Sequence, residues 1–233
     1  MEQLDHIVSI IALTMGVAWA SGINLYAAIL VLGVLGSSGN MVLPPDLEIL
    51  MNPLVLFAAG AMYLIEFVAD KVPGVDNSWD GLHTFIRIPA AAALAAGAVG
   101  DVDPAVSLAV AILGGGLAAG VHATKAGSRL LINTSPEPFS NWFASLSEDV
   151  LVIAGLWTAL HYPWLFIVFL ILFVLVMVWV LPKVWRGLKR VGSAFANFFR
   201  GTKQGAPPLN FNLPDSLGSV SEEGSGNIEW RDR

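Results

Sequence analysis

The chain has no cysteine among its 233 residues, and only 13% of its residues are charged. The absence of cysteine excludes disulfides, thiolate metal sites and cysteine nucleophiles. The shortage of charge excludes an ordinary soluble domain, whose surface carries far more polar side chains. The sequence also lacks a Gly-x-Ser-x-Gly elbow, a phosphate-binding glycine loop and a His-Glu-x-x-His pair. We therefore expect a protein that is not an enzyme and needs no cofactor.

Hydrophobic residues make up 55% of the chain, and they lie in long continuous runs. The plainest run, Trp164 to Val180, contains no charge at all. About 20 apolar residues suffice to cross a bilayer core of about 30 Å as a helix. Membrane strands would instead alternate apolar and polar residues over short segments. The composition predicts an all-α, polytopic transmembrane helical bundle.

The hydrophobic pattern divides into about six spans, within a bundle over residues 1–182. They run approximately over Ile7–Leu35, Pro53–Val72, Ser78–Val99, Pro104–Leu131, Phe139–Leu160 and Trp164–Leu181.

The basic residues between spans predict the orientation, because cytoplasmic segments of membrane proteins carry the excess of Lys and Arg. They lie only at alternate connections: Lys71 and Arg87, then Lys125 and Arg129, then Lys183, Arg186, Lys189 and Arg190. The connections at residues 36–52, 100–103 and 161–163 have none. With six spans, this pattern predicts that both termini are cytoplasmic.

Two of the predicted spans contain a similar polar interruption. Residues 20–24 read Ala-Ser-Gly-Ile-Asn, and residues 118–122 read Ala-Ala-Gly-Val-His. The match predicts two broken helices with hinges at Gly22 and Gly120, in a 3+3 inverted repeat of residues 5–100 and 104–182. Transporters with inverted repeats often place such broken helices around a midplane site.

Two further segments follow the spans. Apolar residues at spacings of three and four, with bases around them, predict an interfacial amphipathic helix over residues 183–200. Residues 201–233 are rich in Pro, Gly, Ser, Asn and acids, which predicts a disordered cytoplasmic tail.

Acidic residues inside the spans are the main functional candidates, since a charge at mid-bilayer costs about 2.5–3.5 kcal/mol on insertion scales. Glu148 and Asp149 lie deep in span five, and Glu66 and Asp70 lie four apart on span two. Paired carboxylates need a cation, a proton or a base beside them. Together with Asn24 and His122, they are predicted to bind an ion or solute.

Basic residues on the other spans offer partners for these acids. His83 and Arg87 begin span three, while His122, Lys125 and Arg129 recur at spacings of three and four along span four. The sequence leaves open whether His83, Arg87, Lys125 and Arg129 form interhelical ion pairs or bind an anionic headgroup. The sequence also leaves open a metal site formed by His83, His122, Glu66 and Glu148, although no ligand spacing supports one.

Several motifs in order resemble the bacterial membrane family called "domain of unknown function 4126", over roughly residues 5–190. They are Ala-Ser-Gly-Ile-Asn-Leu-Tyr at 20–26, Glu-Phe-Val-Ala-Asp-Lys-Val-Pro-Gly at 66–74, His-Ala-Thr-Lys-Ala-Gly-Ser-Arg at 122–129, Asn-Thr-Ser-Pro-Glu-Pro at 133–138 and Ser-Glu-Asp at 147–149. The resemblance implies a multi-pass protein of the bacterial cytoplasmic (inner) membrane and implies no particular activity.

The broken spans and buried acids favour a secondary transporter or channel-like carrier of a small ion or solute. Its expected partners are the lipid bilayer and that ion or solute, without nucleic acid; the oligomeric state is not predicted. One alternative is a protein that binds or translocates an anionic lipid or polyprenyl phosphate. The other is a membrane assembly factor that transports nothing.

Overall fold

The computed structural model describes residues 1–72, 75–132 and 138–201. The described residues form helices and no strands. The helices are α1 (Glu2–Ile23), α2 (Leu25–Ser37), a short 3-10 helix (Pro45–Met51), α3 (Pro53–Ala69), α4 (Val75–Val99), α5 (Pro104–Ile132), α6 (Pro138–His161) and α7 (Pro163–Gly201). The chain divides into two compact units, residues 1–192 and 193–233, and every contact described below lies in the first.

The lengths and composition of the helices confirm the prediction of a helical membrane bundle. Five helical segments are long and apolar enough to cross a bilayer: Glu2–Ile23, Ser78–Val99, Pro104–Ile132, Phe139–His161 and Pro163–Gly187. A sixth span results if the 3-10 helix and α3, which meet at a bend of 68°, count together.

The first predicted span is broken, at Asn24 rather than at Gly22. Asn24 has extended backbone angles (φ −146°, ψ 103°), and its side chain accepts a hydrogen bond of 3.0 Å from the amide of Ala27. An asparagine in this position caps the first turn of the following helix. Gly22 is helical and has a different role, because a Cβ there would lie 2.8 Å from the carbonyl oxygen of Ala118. Gly22 therefore permits close packing of α1 on α5.

The second predicted break, at Gly120, is wrong. The α5 helix runs without interruption from Pro104 to Ile132. Gly120 is less favourable in a helix than alanine by about 1 kcal/mol, but its neighbours Ala118 and Val121 are buried against other helices. This packing outweighs the low helix propensity of one glycine. The 3+3 inverted repeat loses one of its two matched breaks and stays a prediction.

The core around Trp19 shows the direction of α1. Trp19 is fully buried; its ring contacts Gly155 on α6 and meets Phe169 and Phe173 on α7 edge to face, at centroid distances of 5.3 and 5.7 Å. Asp5, near the start of α1, accepts a hydrogen bond of 3.0 Å from the indole of Trp164, near the start of α7. The α1 helix therefore runs parallel to α7.

The α2 helix turns back along α6. At the break, Asn24 donates a hydrogen bond to Asp149 on α6. Farther along, residues 30–35 of α2 line one groove with Ile153 and Trp157, which lie closer to the end of α6. Because α1 approaches Asp149 from the same end of α6, the two helices form a hairpin whose tip is Asn24.

The hairpin places the start of α1 and the basic end of α7 at different ends of the bundle, and the predicted cytoplasmic location of both termini stays a prediction. The start of α1 lies beside Trp164, whereas Gly187 of α7 packs near Leu131 at the end of α5. A continuous helix separates Trp164 from Gly187, so the N-terminus and the basic end of α7 lie at opposite ends of the bundle. The Lys and Arg bias still predicts that the α7 end is cytoplasmic. The distribution of Lys and Arg does not reveal that α1 and α2 form a hairpin, because residues 1–52 contain neither residue.

The segment predicted as a separate interfacial helix, residues 183–200, is helical but continues α7 through Pro182. Its position at the membrane surface stays a prediction. The disordered tail is predicted over residues 201–233. Gly201 is the last residue of α7, and residues 202–233 lie outside the described residues.

Candidate ion-binding site

Charged side chains from four helices converge beside the tip of the α1–α2 hairpin. Their spacing explains the convergence, because residues three or four apart share one helix face. The groups are Glu66 at the end of α3 with Asp70 as its C-cap, Asp76, Asp80 and Arg87 on α4, Lys125 and Arg129 on α5, and Glu148 and Asp149 on α6. Glu148 lies about 20 Å along α6 from His161, at 1.5 Å per residue. The cluster thus lies well inside the bundle.

Arg87 connects α4 to three other elements from a fully buried position. Its Nη2 donates to Glu66 Oε1 at 2.7 Å, and its Nη1 donates to the carbonyl oxygen of Ile23 at 3.2 Å. Nη1 also lies 3.1 Å from Nδ1 of His122 and 3.8 Å from Asp80. The guanidinium therefore holds α3, α4, α5 and the break in α1 together.

Lys125 lies at the centre of the carboxylates. Its Nζ is 3.3 Å from Glu148, 3.4 Å from Glu66, 3.5 Å from Asp70 and 3.9 Å from Asp80. It also donates to the carbonyl oxygen of Ile23 at 3.1 Å. One ammonium group has three protons to donate, so these carboxylates compete for it.

Arg129 forms a bidentate pair with Glu148. Its Nε lies 3.1 Å from Oε1 and its Nη2 lies 2.8 Å from Oε2 of that residue. Nη1 donates to the carbonyl oxygens of Asp70 and Asn141, each at 3.2 Å. The fork geometry makes this the strongest type of pair for an arginine and a carboxylate.

The two helix ends at the break meet charges of the favourable sign. Arg87 and Lys125 donate to the last carbonyl of α1, at the negative end of its dipole. Asp149 accepts a hydrogen bond of 3.2 Å from Asn24, at the positive end of α2. Tyr63 of α3 lies beside Asp149 as well. The break in the helix is therefore matched to the charge cluster.

The two histidines act as hydrogen-bonding groups at the edge of the cluster. His122 accepts from Arg87 at Nδ1, so its Nε2 is the donor and lies 2.8 Å from the hydroxyl of Thr84 and 3.2 Å from the carbonyl oxygen of Asp80. His83 directs Nδ1 at the carbonyl of Trp79 and lies 3.1 Å from the hydroxyl of Tyr26 through Nε2. The contact of Nδ1 with a guanidinium donor corresponds to a neutral imidazole for His122.

Among the described residues, acids outnumber bases in this region. Six carboxylates (Glu66, Asp70, Asp76, Asp80, Glu148 and Asp149) face three buried bases (Arg87, Lys125 and Arg129), together with Lys71, whose Nζ bonds Phe67 and Ser145 at the edge. The formal charge is −2. A net charge in an apolar setting is unfavourable, so a proton or a cation bound here would stabilise the region.

Six residues are predicted from the sequence to bind an ion: Glu66, Asp70, Glu148, Asp149, Asn24 and His122. The structure brings all six together with three bases, Arg87, Lys125 and Arg129. These three bases are all buried and engaged by carboxylates. They form the predicted ion pairs, so a role in binding an anionic headgroup gains no support from their positions. His83 lies beside the cluster without an ion pair among the described contacts.

Asp76 and Asp80 are not among the residues predicted from the sequence, and both are buried. Their spacing from His83 and Arg87 was a usable signal, because Asp76, Asp80, His83 and Arg87 recur at intervals of four, three and four. They were overlooked because they lie at the edge of the predicted span. No group of three or more potential metal ligands was found among the described residues.

Apolar outer faces around a buried charged centre define the class of this protein: a polytopic helical membrane protein with an intramembrane ion-pair cluster. Residues 11–183 match the family described as "Domain of unknown function (DUF4126)", and the chain therefore belongs to that family, as the motifs predicted. No curated protein and no solved structure matches the chain.

Proposed function

We propose that this protein is a secondary carrier of a small ion or solute, coupled to an ion that binds at the buried carboxylates. One observation carries the proposal: among the described residues, six carboxylates meet four bases beside a break in a membrane helix. A purely structural ion network would not need unbalanced charge. An exchangeable ion would balance that charge, and its binding and release would be coupled to movement of the helices around the site. The protein would act in the bacterial cytoplasmic membrane and would perform no chemical step.

The hairpin tip supports a carrier rather than a static bundle. Asn24 is the one residue between α1 and α2, and its extended backbone can change angle without breaking a helix. The same residue holds α2 to α6 through Asp149. A change in the charge of Asp149 would weaken this contact and allow α2 to move against α6. Binding at the cluster would thus open or close one side of the site.

The test is flux in proteoliposomes that contain the full chain, with a pH-sensitive dye inside and defined cation gradients across the membrane. We expect flux of protons or cations that falls at least tenfold in Glu148→Gln, because this change removes the partner of Arg129 and Lys125. Glu48→Gln is the matched control, because Glu48 is an exposed residue of the 3-10 helix, and this variant should retain the flux. Unchanged flux in a folded Glu148→Gln protein would contradict the mechanism.

A further inference from the structure

An apolar groove lies between α5 and α7, near the basic end of α7. Side chains bridge the two helices at either end of it: Met177 packs on Gly120, and Leu131 packs near Gly187. Between these contacts the groove has a volume of about 510 Å³. Its lining includes Ala126, Gly127 and Leu130 of α5 and Pro182, Val184 and Trp185 of α7. Gly127 and Val184 are buried, whereas Pro182 and Trp185 are exposed, so the groove opens sideways towards lipid.

Arg186 and Lys189 lie at the mouth of this groove. The ammonium of Lys189 lies 5.5 Å from the centroid of the Trp185 ring, and the Nε of Arg186 donates to the carbonyl oxygen of Pro182 at 3.2 Å. Both of these partners line the groove. Both cations are exposed, and neither forms an ion pair among the described residues. The mouth of the groove therefore carries positive charge that is free to meet an anion.

The sequence of α7 indicates that this mouth lies at the level of the lipid headgroups. The helix has no charge from Trp164 to Val180, and its basic residues follow directly. Trp185 is exposed at this end, and tryptophan is enriched where a membrane span reaches the headgroups. The long side chains of Lys and Arg extend their charges to the same level. A lipid in the groove would thus have its phosphate beside Arg186 and Lys189.

Charge decides which occupant the groove favours. Lipid tails are as apolar as the lining of the groove, so the lining alone selects no particular lipid. A phosphate at the mouth would supply the missing negative charge, since a guanidinium binds it through two hydrogen bonds and an ammonium binds it as a point charge. A second copy of the chain, bound through the same face, would instead bring its own Arg186 and Lys189 against these cations.

We infer that the groove between α5 and α7 binds one anionic phospholipid, with an acyl chain beside Gly127 and Val184 and its phosphate between Arg186 and Lys189. Basic sites between membrane helices bind anionic headgroups in this way. The lipid fills the space between the two helices and stabilises the position of α7. It is bound rather than carried, so the inference does not rest on the proposed function.

Native mass spectrometry of the purified full chain in detergent tests the headgroup site, with phosphatidylglycerol or phosphatidylcholine as the titrant. We expect one phosphatidylglycerol per chain to bind in preference to phosphatidylcholine. One Lys or Arg contributes about fivefold to binding an anionic lipid, so Lys189→Gln should lose about fivefold in affinity and Arg186→Gln/Lys189→Gln about 25-fold. Lys183→Gln is the matched control, because Lys183 is an exposed base of the same helix that lies over Trp179, outside the groove. It should retain the affinity.

A second pair of variants tests the groove itself. Ala123 is an exposed residue of its lining, so Ala123→Trp should fill the groove while both cations stay in place. We expect this change to weaken the binding of phosphatidylglycerol severalfold. Ala109→Trp is the control for added bulk, because Ala109 is exposed on α5 outside the groove, and it should bind the lipid as the wild type does.

Four results would overturn the inference. Equal losses in Lys183→Gln and Lys189→Gln would show that the lipid responds only to the total charge of α7. Unchanged affinity in Ala123→Trp would remove the groove, and equal affinity for the two lipids would remove the selectivity. A dimer that Ala123→Trp dissociates would assign the groove to a second copy of the chain. None of these readouts measures flux, so failure of the proposed carrier would leave the lipid site in place.

Discussion

Removal of Arg87 should be among the most damaging single changes in the bundle. Its guanidinium is fully buried, and it is the closest base to Glu66, at 2.7 Å. In Arg87→Met, Glu66 would keep only Lys125, at 3.4 Å, and the last carbonyl of α1 would lose one of its two donors. Breaking a buried pair in this way costs about 3–5 kcal/mol. We expect a loss of that size in the free energy of unfolding.

The double variant separates the ion pair from simple loss of side-chain volume. Glu66→Gln combined with Arg87→Met removes both charges, so it should cost much less than the sum of the two single changes. The double-mutant cycle formed by the wild type, the two single variants and the double variant should give a coupling energy of about 2 kcal/mol or more. This value is in the range seen for residues in one charged network. Arg186→Met is the control, because Arg186 is exposed and bonds only the carbonyl of Pro182 among the described contacts.

The assay is a titration of the micelle-bound protein with SDS, followed by circular dichroism, for the wild type and each variant. The deficit of Arg87→Met should shrink as the pH falls, because a proton on Glu66 then replaces the missing positive charge. Two results would refute the reasoning. One is a loss below about 1 kcal/mol for Arg87→Met, and the other is strict additivity in the cycle.

Two further predictions test the fold. Gly22→Ala should destabilise the protein by about 1–3 kcal/mol, since its Cβ would meet the backbone of Ala118, whereas Gly120→Ala should be neutral or stabilising because it meets only a flexible side chain. Equal unfolding midpoints for the two variants would contradict this assignment of the glycines. The natural chain has no cysteine, so single cysteines at Gln3 and Lys189 can be labelled with a membrane-impermeant maleimide in oriented vesicles. They should react from opposite sides, and labelling of both from one side would contradict the hairpin.

Most of the membrane architecture could be predicted from the sequence because hydrophobicity is a local property. The predicted spans over Ser78–Val99 and Phe139–Leu160 fall within α4 and α6 to within a few residues. Motifs within residues 11–183 likewise identified the family. The helical spacing also placed Glu66 with Asp70, and Lys125 with Arg129, on shared faces.

The glycines show where local prediction failed. Gly22 and Gly120 have similar neighbours in sequence, yet the helix breaks at neither of them: the chain breaks at Asn24, and α5 does not break at all. A glycine costs a helix only about 1 kcal/mol. Packing against other helices can easily outweigh this amount, and packing is not encoded in the local pattern.

The chain by itself determined a helical membrane protein with acids and bases buried in its spans. Only the tertiary structure decided which of these charges pair. It assigned Arg87 to Glu66 and Arg129 to Glu148, and it placed Asp76 only at 4.0 Å from Arg129. It also folded α2 back along α6, which placed Asn24 beside Asp149. The physical reason is that the strength of an ion pair depends on distances of a few ångströms between separate helices, and residue spacing within one helix does not specify them.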